Sequence, residues 1–358
     1  MLLATILIFL GLLLVLVLVH EWGHFIVAKK AGCTVEEFGF GFPPKIAGRM
    51  WRGTLYSLNL LPIGGFVKIE GENMDEENPT PTSFASKSAS WRIAILCAGV
   101  AMNMILAAVL LAIQSGIGSP TIVTNTNRDS LTNIMTYVLS VASDSHAAQA
   151  GIQPYDRIVR YGAQTQPNIG DVQRLTKEYA DVATAIELER AGKHITLNIT
   201  ARANPPENQG ALGIGLGETG LLKTAWWKAP WEGVKRTGEM TYVITDQFAT
   251  LIWRAFHRED IGQVLTGPIG IAIYTKEATS LGISYFLEFA AMISINLAII
   301  NILPLPALDG GRVLFVLIEK IVGRRVPGRV ESYAHTAGFV ILIGLMIAIT
   351  FKDISRYF

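Results

Sequence analysis

Apolar residues are gathered into four long runs along the chain, with more polar segments between them. The first run covers residues 1–19 and the fourth covers Thr336–Phe351, and neither contains a charged side chain. The second is Ile93–Ile113, and the third, about Phe286–Leu303, contains Glu288, to which the sequence assigns no role. A helix of about 20 residues spans the hydrocarbon core of a bilayer. The pattern therefore predicts four transmembrane helices in two pairs, separated by a long central segment.

A cleaved signal peptide is the alternative interpretation of the first run. Its apolar stretch is longer than that of a signal peptide, no basic residues precede it, and no small-x-small cleavage site follows it. We therefore expect this run to be an uncleaved membrane span.

Basic residues are concentrated in the two short connections within the helix pairs. The first connection contains Lys29, Lys30, Lys45, Arg49, Arg52, Lys68, Lys87 and Arg92, and the second contains Arg312, Lys320, Arg324, Arg325 and Arg329. Cytoplasmic loops carry an excess of Lys and Arg, so we expect both connections in the cytoplasm, and both termini and the central segment outside. Cys33 and Cys97 then lie at the reducing side, where free thiols are expected.

The central segment, from about Gln114 to Tyr285, has the nearly balanced charge of a soluble globular domain. Alternating runs predict strands at Tyr137–Val141, Ala185–Arg190 and His194–Ile199, and the last two are joined by a Gly-containing turn that predicts a hairpin. A short helix is predicted over Asp171–Ala180.

A linker or turn is predicted at residues 204–210, which are rich in Pro, Asn and Gly. Helical character follows over Lys223–Asp260, a segment that contains four tryptophans, Trp226, Trp227, Trp231 and Trp253. Tryptophan beside Lys and Arg is typical of a helix lying at a membrane surface. An ordinary amphipathic helix packed on the domain is the alternative.

The composition narrows the class of protein. Of 358 residues, 50% are hydrophobic and 16% are charged, whereas a soluble domain carries about a quarter charged residues, so a purely soluble protein is excluded. The formal net charge of +1 gives no basic field for a nucleic-acid partner. Two cysteines cannot form a disulfide framework or a Cys-rich zinc site.

The first span ends in the sequence HEWGH at residues 20–24. Residues four apart lie on one face of a helix, so His20 and His24 can bind the same metal ion. Imidazole is a common zinc ligand, and Glu21 can reach a water molecule at such an ion as a general base. Ionisable residues at membrane depth are costly and therefore indicate a functional site.

A catalytic zinc site needs a third protein ligand and an open position. Asp309 is the candidate, because it follows the third span in the sequence NILPLPALDGG at 301–311. Pro304 and Pro306 interrupt helical hydrogen bonding, so we expect non-helical backbone before Asp309. Gly310 and Gly311 allow a sharp turn after it. In the predicted topology the histidine pair and Asp309 share the cytoplasmic side.

The other histidines are expected elsewhere. His146, His194 and His257 fall in the external segment, where solvent exposure is expected, and His335 is expected to cap the fourth span or face the interface.

The sequences HEWGHF at 20–25 and NILPLPALDGG at 301–311 together resemble the site-2 protease family of intramembrane zinc metalloproteases. The bacterial branch that cleaves anti-sigma factors, the regulator of sigma-E protease type, is the most similar. GFGFP at 39–43, LPIGGFVKIEGE at 61–72 and GPIGIA at 267–272 agree with this resemblance.

The resemblance implies one catalytic Zn²⁺ held by His20, His24 and Asp309, with Glu21 as the base. It implies hydrolysis, within the bilayer of a bacterial inner membrane, of transmembrane or signal-peptide-like helices. Single-pass membrane proteins such as an anti-sigma factor, and remnant signal peptides, are the expected substrates.

The expected substrate-binding residues are Asn301, Gly64, Gly65, Phe66, Val67 and Asn103. Thr54–Lys68 alternates and offers a strand edge to which an extended substrate can add. The resemblance implies a membrane-embedded hairpin loop here, and a plain cytoplasmic hairpin is the alternative.

Asn301 is expected to hold substrate backbone or the oxyanion, or to be a structural amide. Span two carries Gly99 and Asn103 but lacks the proline of the relatives' Gly-Pro-x-x-Asn, and helix packing is the alternative role for both residues.

The central segment resembles a PDZ module. VASDSHAAQAGIQPYDRIVRYG at 141–162 follows its pattern, although Tyr155 stands where such modules usually carry Gly. One module is found, where some relatives carry two, and an unrelated α/β domain is the alternative. Such a module implies an extracytoplasmic peptide ligand.

The expected fold is an α-helical polytopic membrane protein with four transmembrane helices, a membrane-associated β-hairpin loop and an inserted extracytoplasmic α+β PDZ-like domain. Its predicted parts are an N-terminal membrane core (1–113), the PDZ-like domain (118–203), a linker with amphipathic interfacial helices (204–284) and a C-terminal membrane core (285–358). The expected function is intramembrane proteolysis. A proteolytically inactive scaffold that binds peptides through the PDZ-like domain is the alternative, and a soluble metalloprotease on one anchor is excluded by four spans.

Overall fold

The computed structural model describes residues 2–72, 80–190, 192–206, 209–257, 266–324 and 326–357. The helices are α1 (Leu2–Lys30), α2 (Ala89–Ile117), α3 (His146–Ala150), α4 (Ile169–Glu178), α5 (Ala229–Phe256), α6 (Pro268–Leu281), α7 (Ile283–Ile302), α8 (Asp309–Val322) and α9 (Gly328–Tyr357). The strands are β1 (Val35–Trp51), β2 (Thr54–Ile69), β3 (Ser119–Ile122), β4 (Leu131–Val141), β5 (Arg157–Tyr161), β6 (Gln164–Thr165), β7 (Ala183–Arg190), β8 (Lys193–Thr200) and β9 (Ile214–Leu222).

The chain forms two compact units. The first contains Met1–Ala112, Pro230–Lys276 and Leu287–Phe358, and the second contains Ile113–Ala229 and Glu277–Phe286. The first unit thus draws on both ends of the chain, whereas the second is built largely from the central segment.

Four helices in the described chain are long and apolar enough to cross a bilayer, as the sequence predicts. They cover Ala4–Lys30, Ala89–Ile117, Ile283–Ile302 and Gly328–Arg356. Helices α1, α2 and α9 continue past the apolar runs, because backbone hydrogen bonding does not stop where side chains become polar. The zinc-binding sequence expected at the end of α1 therefore lies inside a continuous helix.

In the first unit, α2, α5 and α7 pack on one another through buried alanine and branched aliphatic side chains. Gly233 of α5 lies so close to Ala108 of α2 that no side chain fits between the two helices. Arg236 of α5 pairs with Glu288 of α7 at 3.1 Å, which gives Glu288 the partner that the sequence could not supply. Of the helix predicted over Lys223–Asp260, α5 covers Ala229–Phe256, and residues 258–260 lie outside the described residues. Its location at a membrane surface stays a prediction.

The two long strands of the first unit form an unusual hairpin, because residues 37–40 of β1 pair with β2 along both of their edges, whereas residues 45–51 pair with it along one. Phe38 of β1, for example, is aligned with Tyr56 on one side and with Val67 on the other. The β2 segment 65–69 lies at one edge of this sheet, and no further strand pairs with it in the described part of the chain. The strand predicted over Thr54–Lys68 is confirmed as β2.

The second unit is built on a seven-stranded sheet with the strand order β3-β9-β4-β5-β7-β8, and β6 pairs with β5. The three predicted strands are confirmed within β4, β7 and β8, and β7 and β8 form the predicted hairpin. The predicted short helix is α4, shifted by two residues. The hydrophobic core of the second unit consists of Val138, Ala147, Ile152, Ile158, Tyr161, Val172, Leu175, Ile186, Leu188, Ile199, Ala201 and Leu212.

The second unit extends beyond residue 203, where the sequence places the end of the central domain. Strand β9 pairs with β4 and β3 and so completes the sheet. The sequence did not predict this strand because Gly215, Gly217 and Gly220 lower its strand propensity. The glycines instead allow close packing, since a Cβ on Gly217 would lie 2.7 Å from Leu139.

A buried carboxylate fixes the turn before β5. Tyr155 has a φ of 72°, a left-handed conformation that glycine adopts more easily than a residue with a side chain. The adjacent Asp156 is fully buried and accepts hydrogen bonds from Arg190 Nε and Nη2, both at 2.7 Å, and from the Gln153 backbone at 2.8 Å. This pair connects the turn to β7.

Replacing Asp156 tests the importance of this pair. We expect Asp156→Ala to lower the free energy of unfolding of the second unit by about 3 kcal/mol, because it leaves a guanidinium group without its buried partner. Proteolysis of the full chain in increasing urea measures the change. The matched control is Arg174→Ala, which removes an exposed ion pair with Glu178 and should cost less than about 0.5 kcal/mol. Equal resistance of Asp156→Ala and the unsubstituted chain to proteolysis in urea would contradict this prediction.

Candidate active site

Two histidines one turn apart on α1 form the centre of the site. His20 and His24 are 7% and 8% exposed, and their Nε2 atoms lie 3.1 Å apart. The Nδ1 of His24 lies 2.8 Å from the carbonyl oxygen of Ile95 on α2. A carbonyl can only accept, so Nδ1 carries the proton and the Nε2 lone pair of neutral His24 faces His20.

Asp309 completes this cluster from the start of α8. Its Oδ2 lies 3.0 Å from His20 Nε2 and 3.4 Å from His24 Nε2. This carboxylate oxygen therefore lies beside both Nε2 atoms, where the ligand atoms of one metal ion would meet.

Backbone geometry explains why Asp309 reaches the histidines. Helix α7 ends at Ile302 and α8 begins at Asp309, so the non-helical backbone predicted from the two prolines is present. Gly310 packs directly on the carbonyl groups of Ile302 and Leu303, and Gly311 packs on that of Leu305. A side chain at either glycine would push α8 away from α7 and displace Asp309 from the cluster.

The three ligand atoms fit a zinc ion. Zinc takes imidazole nitrogen at 2.0–2.1 Å in tetrahedral sites, which places neighbouring ligand atoms about 3.3 Å apart. The observed separations are 3.0, 3.1 and 3.4 Å. In the described chain, this is the group of histidines and carboxylates whose atoms converge closely enough to hold a metal ion.

A cavity of about 230 Å³ opens beside the cluster. Glu21 faces it from α1, Phe66 and Val67 face it from the edge of β2, and Arg312 faces it from α8. Strand β2 comes close to α1 at this point, because a Cβ on Gly65 would lie 3.7 Å from Glu21 Cγ and 3.3 Å from Leu18. Gly64, with a φ of 91°, lies against the ring of Phe42.

The two asparagines of the predicted site lie on different sides of His20. Asn103 is fully buried on α2, with its amide nitrogen 3.5 Å from His20 Nδ1. Asn301 is partly exposed at the end of α7, and its amide nitrogen lies 3.5 Å from His20 Nε2. Asn103 is thus behind the imidazole, away from the cavity, whereas Asn301 flanks the position of the metal.

Gly99 brings α2 against the histidine pair. A Cβ at this position would lie 2.6 Å from Cε1 of His20 and would also contact Nε2 of His24. Gly23 makes the reciprocal approach from α1, because its Cβ would overlap the carbonyl of Ala98 and lie 2.8 Å from Met102. Close helix packing therefore determines where the imidazoles can be.

Three residues near the site were not predicted from the sequence. His335, on α9, lines the cavity with Glu72 and Arg312, and the last two form an ion pair. No spacing in the sequence relates them to HEWGH, because they come from three separate elements. Of the other histidines, His194 and His257 are exposed as expected, whereas His146 is partly buried and bonds the Thr200 carbonyl.

A histidine pair with an adjacent glutamate on a membrane-spanning helix, joined by an aspartate from a second segment, defines a membrane-embedded metalloprotease. The chain belongs to peptidase family M50, whose family model matches residues 8–345. It is a zinc metalloprotease of the site-2 protease type and a multi-pass membrane protein.

Relatives across bacteria agree with this assignment. The chain is 31% identical to CPE1693 of Clostridium perfringens, described as a zinc metalloprotease, over 95% of each chain. It is 29% identical to zinc metalloprotease RasP of Oceanobacillus iheyensis, over 96% of this chain and 97% of that relative. It is 32% identical to mll0638 of Mesorhizobium japonicum, also described as a zinc metalloprotease, over 99% of each.

The close approach at Gly99 generates a prediction. We expect Gly99→Ala to reduce proteolysis about 100-fold and to lower zinc content, because the added methyl group displaces both imidazoles. Zinc per protein and cleavage of a membrane-anchored reporter are the measurements. Gly11→Ala on α1 is the control, since its Cβ has no neighbour within 4 Å. Full zinc content in Gly99→Ala would contradict the prediction, because α2 would then accommodate a methyl group without displacing the imidazoles of α1.

Proposed function

We propose that this chain hydrolyses a peptide bond within a membrane-spanning segment of its substrate, with a single zinc ion on His20, His24 and Asp309. The observation that carries the proposal is the convergence of the three ligand atoms to 3.0–3.4 Å beside a cavity that contains Glu21. Burying these ionisable groups costs stability unless they are paired or bind a metal ion. An inactive scaffold would have no need of such an arrangement.

Zinc in such a site supplies Lewis acidity toward a carbonyl group and an activated water molecule. Glu21 lies next to the ligand His20 in the chain and faces the cavity, so it takes a proton from the attacking water and later delivers one to the leaving nitrogen. Asn301, which flanks the site, is proposed to hold the substrate carbonyl.

We assign Asn103 to orienting His20 instead of binding substrate. It is fully buried and lies behind the imidazole ring. The amide nitrogen faces Nδ1 and the amide oxygen has no hydrogen-bond partner, so we propose that the amide group is turned over by 180°. Its oxygen then accepts the proton of Nδ1 and leaves the Nε2 lone pair free for zinc. Ile95 does the same for His24 through its carbonyl group.

The edge of β2 at Gly64–Val67 is the proposed substrate platform. Phe66 and Val67 line the cavity, and Gly65 lies against Glu21 of α1. A peptide bond inside a helix is shielded by its own hydrogen bonds, so a substrate helix must unwind before cleavage. An unwound segment can replace its lost hydrogen bonds by adding to this edge as a strand.

The proposed substrates are single-pass membrane proteins of the anti-sigma-factor type or remnant signal peptides, as in regulated intramembrane proteolysis. We place the chain in the bacterial inner membrane, with both termini and the PDZ-like second unit outside and the active site toward the cytoplasm. The basic residues between paired spans support this orientation. Cys33 and Cys97, which form no disulfide, agree with a reducing side.

The second unit is proposed to bind an extracytoplasmic peptide. A groove of about 580 Å³ runs between α4 and the start of β9, lined by apolar side chains that include Val172, Leu212 and Ile214. Lys177 of α4 lines the same groove and places a positive charge beside it. An apolar groove beside a strand with a cation at its rim suits an extended peptide that ends in a carboxylate.

Replacing Glu21 and the ligands tests the catalytic proposal. Glu21→Gln should keep zinc and lose cleavage of a membrane-anchored reporter by at least about 100-fold, because the amide cannot accept the proton. His24→Phe and Asp309→Ala should lose both zinc and cleavage, since each removes a ligand. Zinc content and reporter cleavage in membranes distinguish these outcomes. Cleavage by Glu21→Gln at the unsubstituted rate would exclude the mechanism.

Charge reversal tests the peptide groove. Lys177→Glu in the full chain should weaken binding of an apolar peptide with a free C-terminal carboxylate several-fold, because a favourable charge becomes repulsive. Binding is measured by fluorescence anisotropy, with the amidated peptide as the comparison. Arg174→Glu on the same helix, which does not line the groove, is the control. Equal binding of the free and amidated peptides would contradict a carboxylate site.

A further inference from the structure

In the loop that carries Asp309, Leu303, Leu305 and Leu308 donate their backbone N–H groups to nearby carbonyl groups, whereas Ala307 donates to a side chain outside the loop. Residues 303–308 are non-helical, and Pro304 and Pro306 have no N–H to donate. Ala307, two residues before Asp309, has a φ of 76°, which is a strained conformation for a residue with a side chain. A hydrogen bond to Ala307 from outside the loop therefore helps to hold this turn.

Helix α9 contacts the loop at two positions one turn apart. The backbone N–H of the strained Ala307 donates to Nδ1 of His335 at 2.9 Å. At Gly338 the helix backbone lies against Pro306, where a Cβ would be 2.5 Å from the proline carbonyl oxygen and 2.7 Å from its Cβ. The same face of α9 thus binds the loop by a hydrogen bond and by close contact.

The tautomer of His335 follows from this hydrogen bond. An amide N–H can only donate, so Nδ1 must be the unprotonated nitrogen and a neutral ring carries its proton on Nε2. Nε2 is buried and faces Glu331 Oε1 at 3.8 Å. The ring also packs on Phe315 of α8, with centroids 5.9 Å apart. Packing on Phe315 and the hydrogen bond with Ala307 therefore hold the imidazole in an orientation that presents Nδ1 as the acceptor, whereas Nε2 forms no hydrogen bond with the described residues.

We propose that His335 is a positioning residue for the metal site: it accepts the N–H of Ala307, fixes the strained turn and so aims the carboxylate of Asp309 at the two imidazoles. This inference rests on the proposed role of Asp309 as a zinc ligand. His335 is not itself a ligand in this arrangement, because its unprotonated nitrogen is already occupied by the backbone N–H.

Zinc retention tests the proposal without reference to cleavage. The full-length Glu21→Gln chain, loaded with Zn²⁺, is mixed with excess chelator, and the rate of zinc loss is measured. Adding His335→Ala should increase that rate about tenfold or more, since outer contacts typically change metal affinity by 10- to 100-fold. His335→Asn should remain near the parent rate, because its amide oxygen can occupy the position of Nδ1.

Two glycines of α9 provide a test variant and a control, which separate an effect on the loop from a general effect on the helix. Gly338→Ala pushes on Pro306 and should also accelerate zinc loss, whereas the Cβ of Gly344→Ala meets nothing within 4 Å and should leave the rate unchanged. The proposal is overturned if His335→Ala retains zinc like the parent, or if His335→Asn loses it as fast as His335→Ala.

The two proposals fail in distinguishable ways. In the otherwise unsubstituted chain, cleavage by His335→Ala should recover when Zn²⁺ is raised to saturation, because the variant weakens zinc binding and leaves Glu21 in place. If the Glu21→Gln chain cleaves the reporter at the full rate, the proposed function fails while the zinc-loss measurements still stand. If cleavage by His335→Ala does not recover although zinc is bound, the residue does more than position the metal site, and this inference is wrong.

Discussion

The contact between α1 and α2 at Gly23 and Gly99 is the constraint on which the rest of the site depends. Each glycine removes a side chain that would collide with the facing helix. The short distance that results lets the Ile95 carbonyl reach His24 and lets Asn103 reach His20. Without this approach the two imidazoles would have no fixed rotamer, and a third ligand could not be matched to them.

The third ligand comes from a non-helical segment that directly follows a candidate membrane span, and such backbone is energetically costly within a bilayer. A non-helical segment there leaves polar groups without internal partners, which is tolerated only inside protein or beside water. Here the segment 303–308 is covered by α8 through Gly310 and Gly311 and by α9 through His335 and Gly338. The glycines let neighbouring backbone come close, and the histidine supplies an acceptor that the loop lacks. The fold thus places an irregular turn at the metal site, and the neighbouring helices α8 and α9 supply the contacts that hold it.

Local patterns in the sequence predicted the spans, HEWGH and Asp309, because each depends on a periodicity or a short motif. The edges of the spans could not be predicted, since helices continue into polar residues. Strand β9 was not predicted, because glycine lowers strand propensity even where it allows tight packing. His335 and Arg312 could not be found, because only tertiary structure brings α8 and α9 to the cavity. Asn103 was expected to bind substrate or to pack between helices, and its burial behind His20 is visible only in three dimensions.

The double pairing of β1 has a consequence for what the enzyme can distinguish. Because residues 37–40 of β1 are paired on both edges, the sheet ends at residues 45–51 on one side and at residues 65–69 on the other, and the second of these edges carries Phe66 and Val67 of the cavity. That edge offers main-chain groups, which are the same for every residue except proline. If substrates add to this edge as proposed, the enzyme would select for how readily a segment gives up its helix, and only weakly for the side chains it carries. Substrates with unrelated sequences could then share one site, provided that each contains a stretch that unwinds at the right depth.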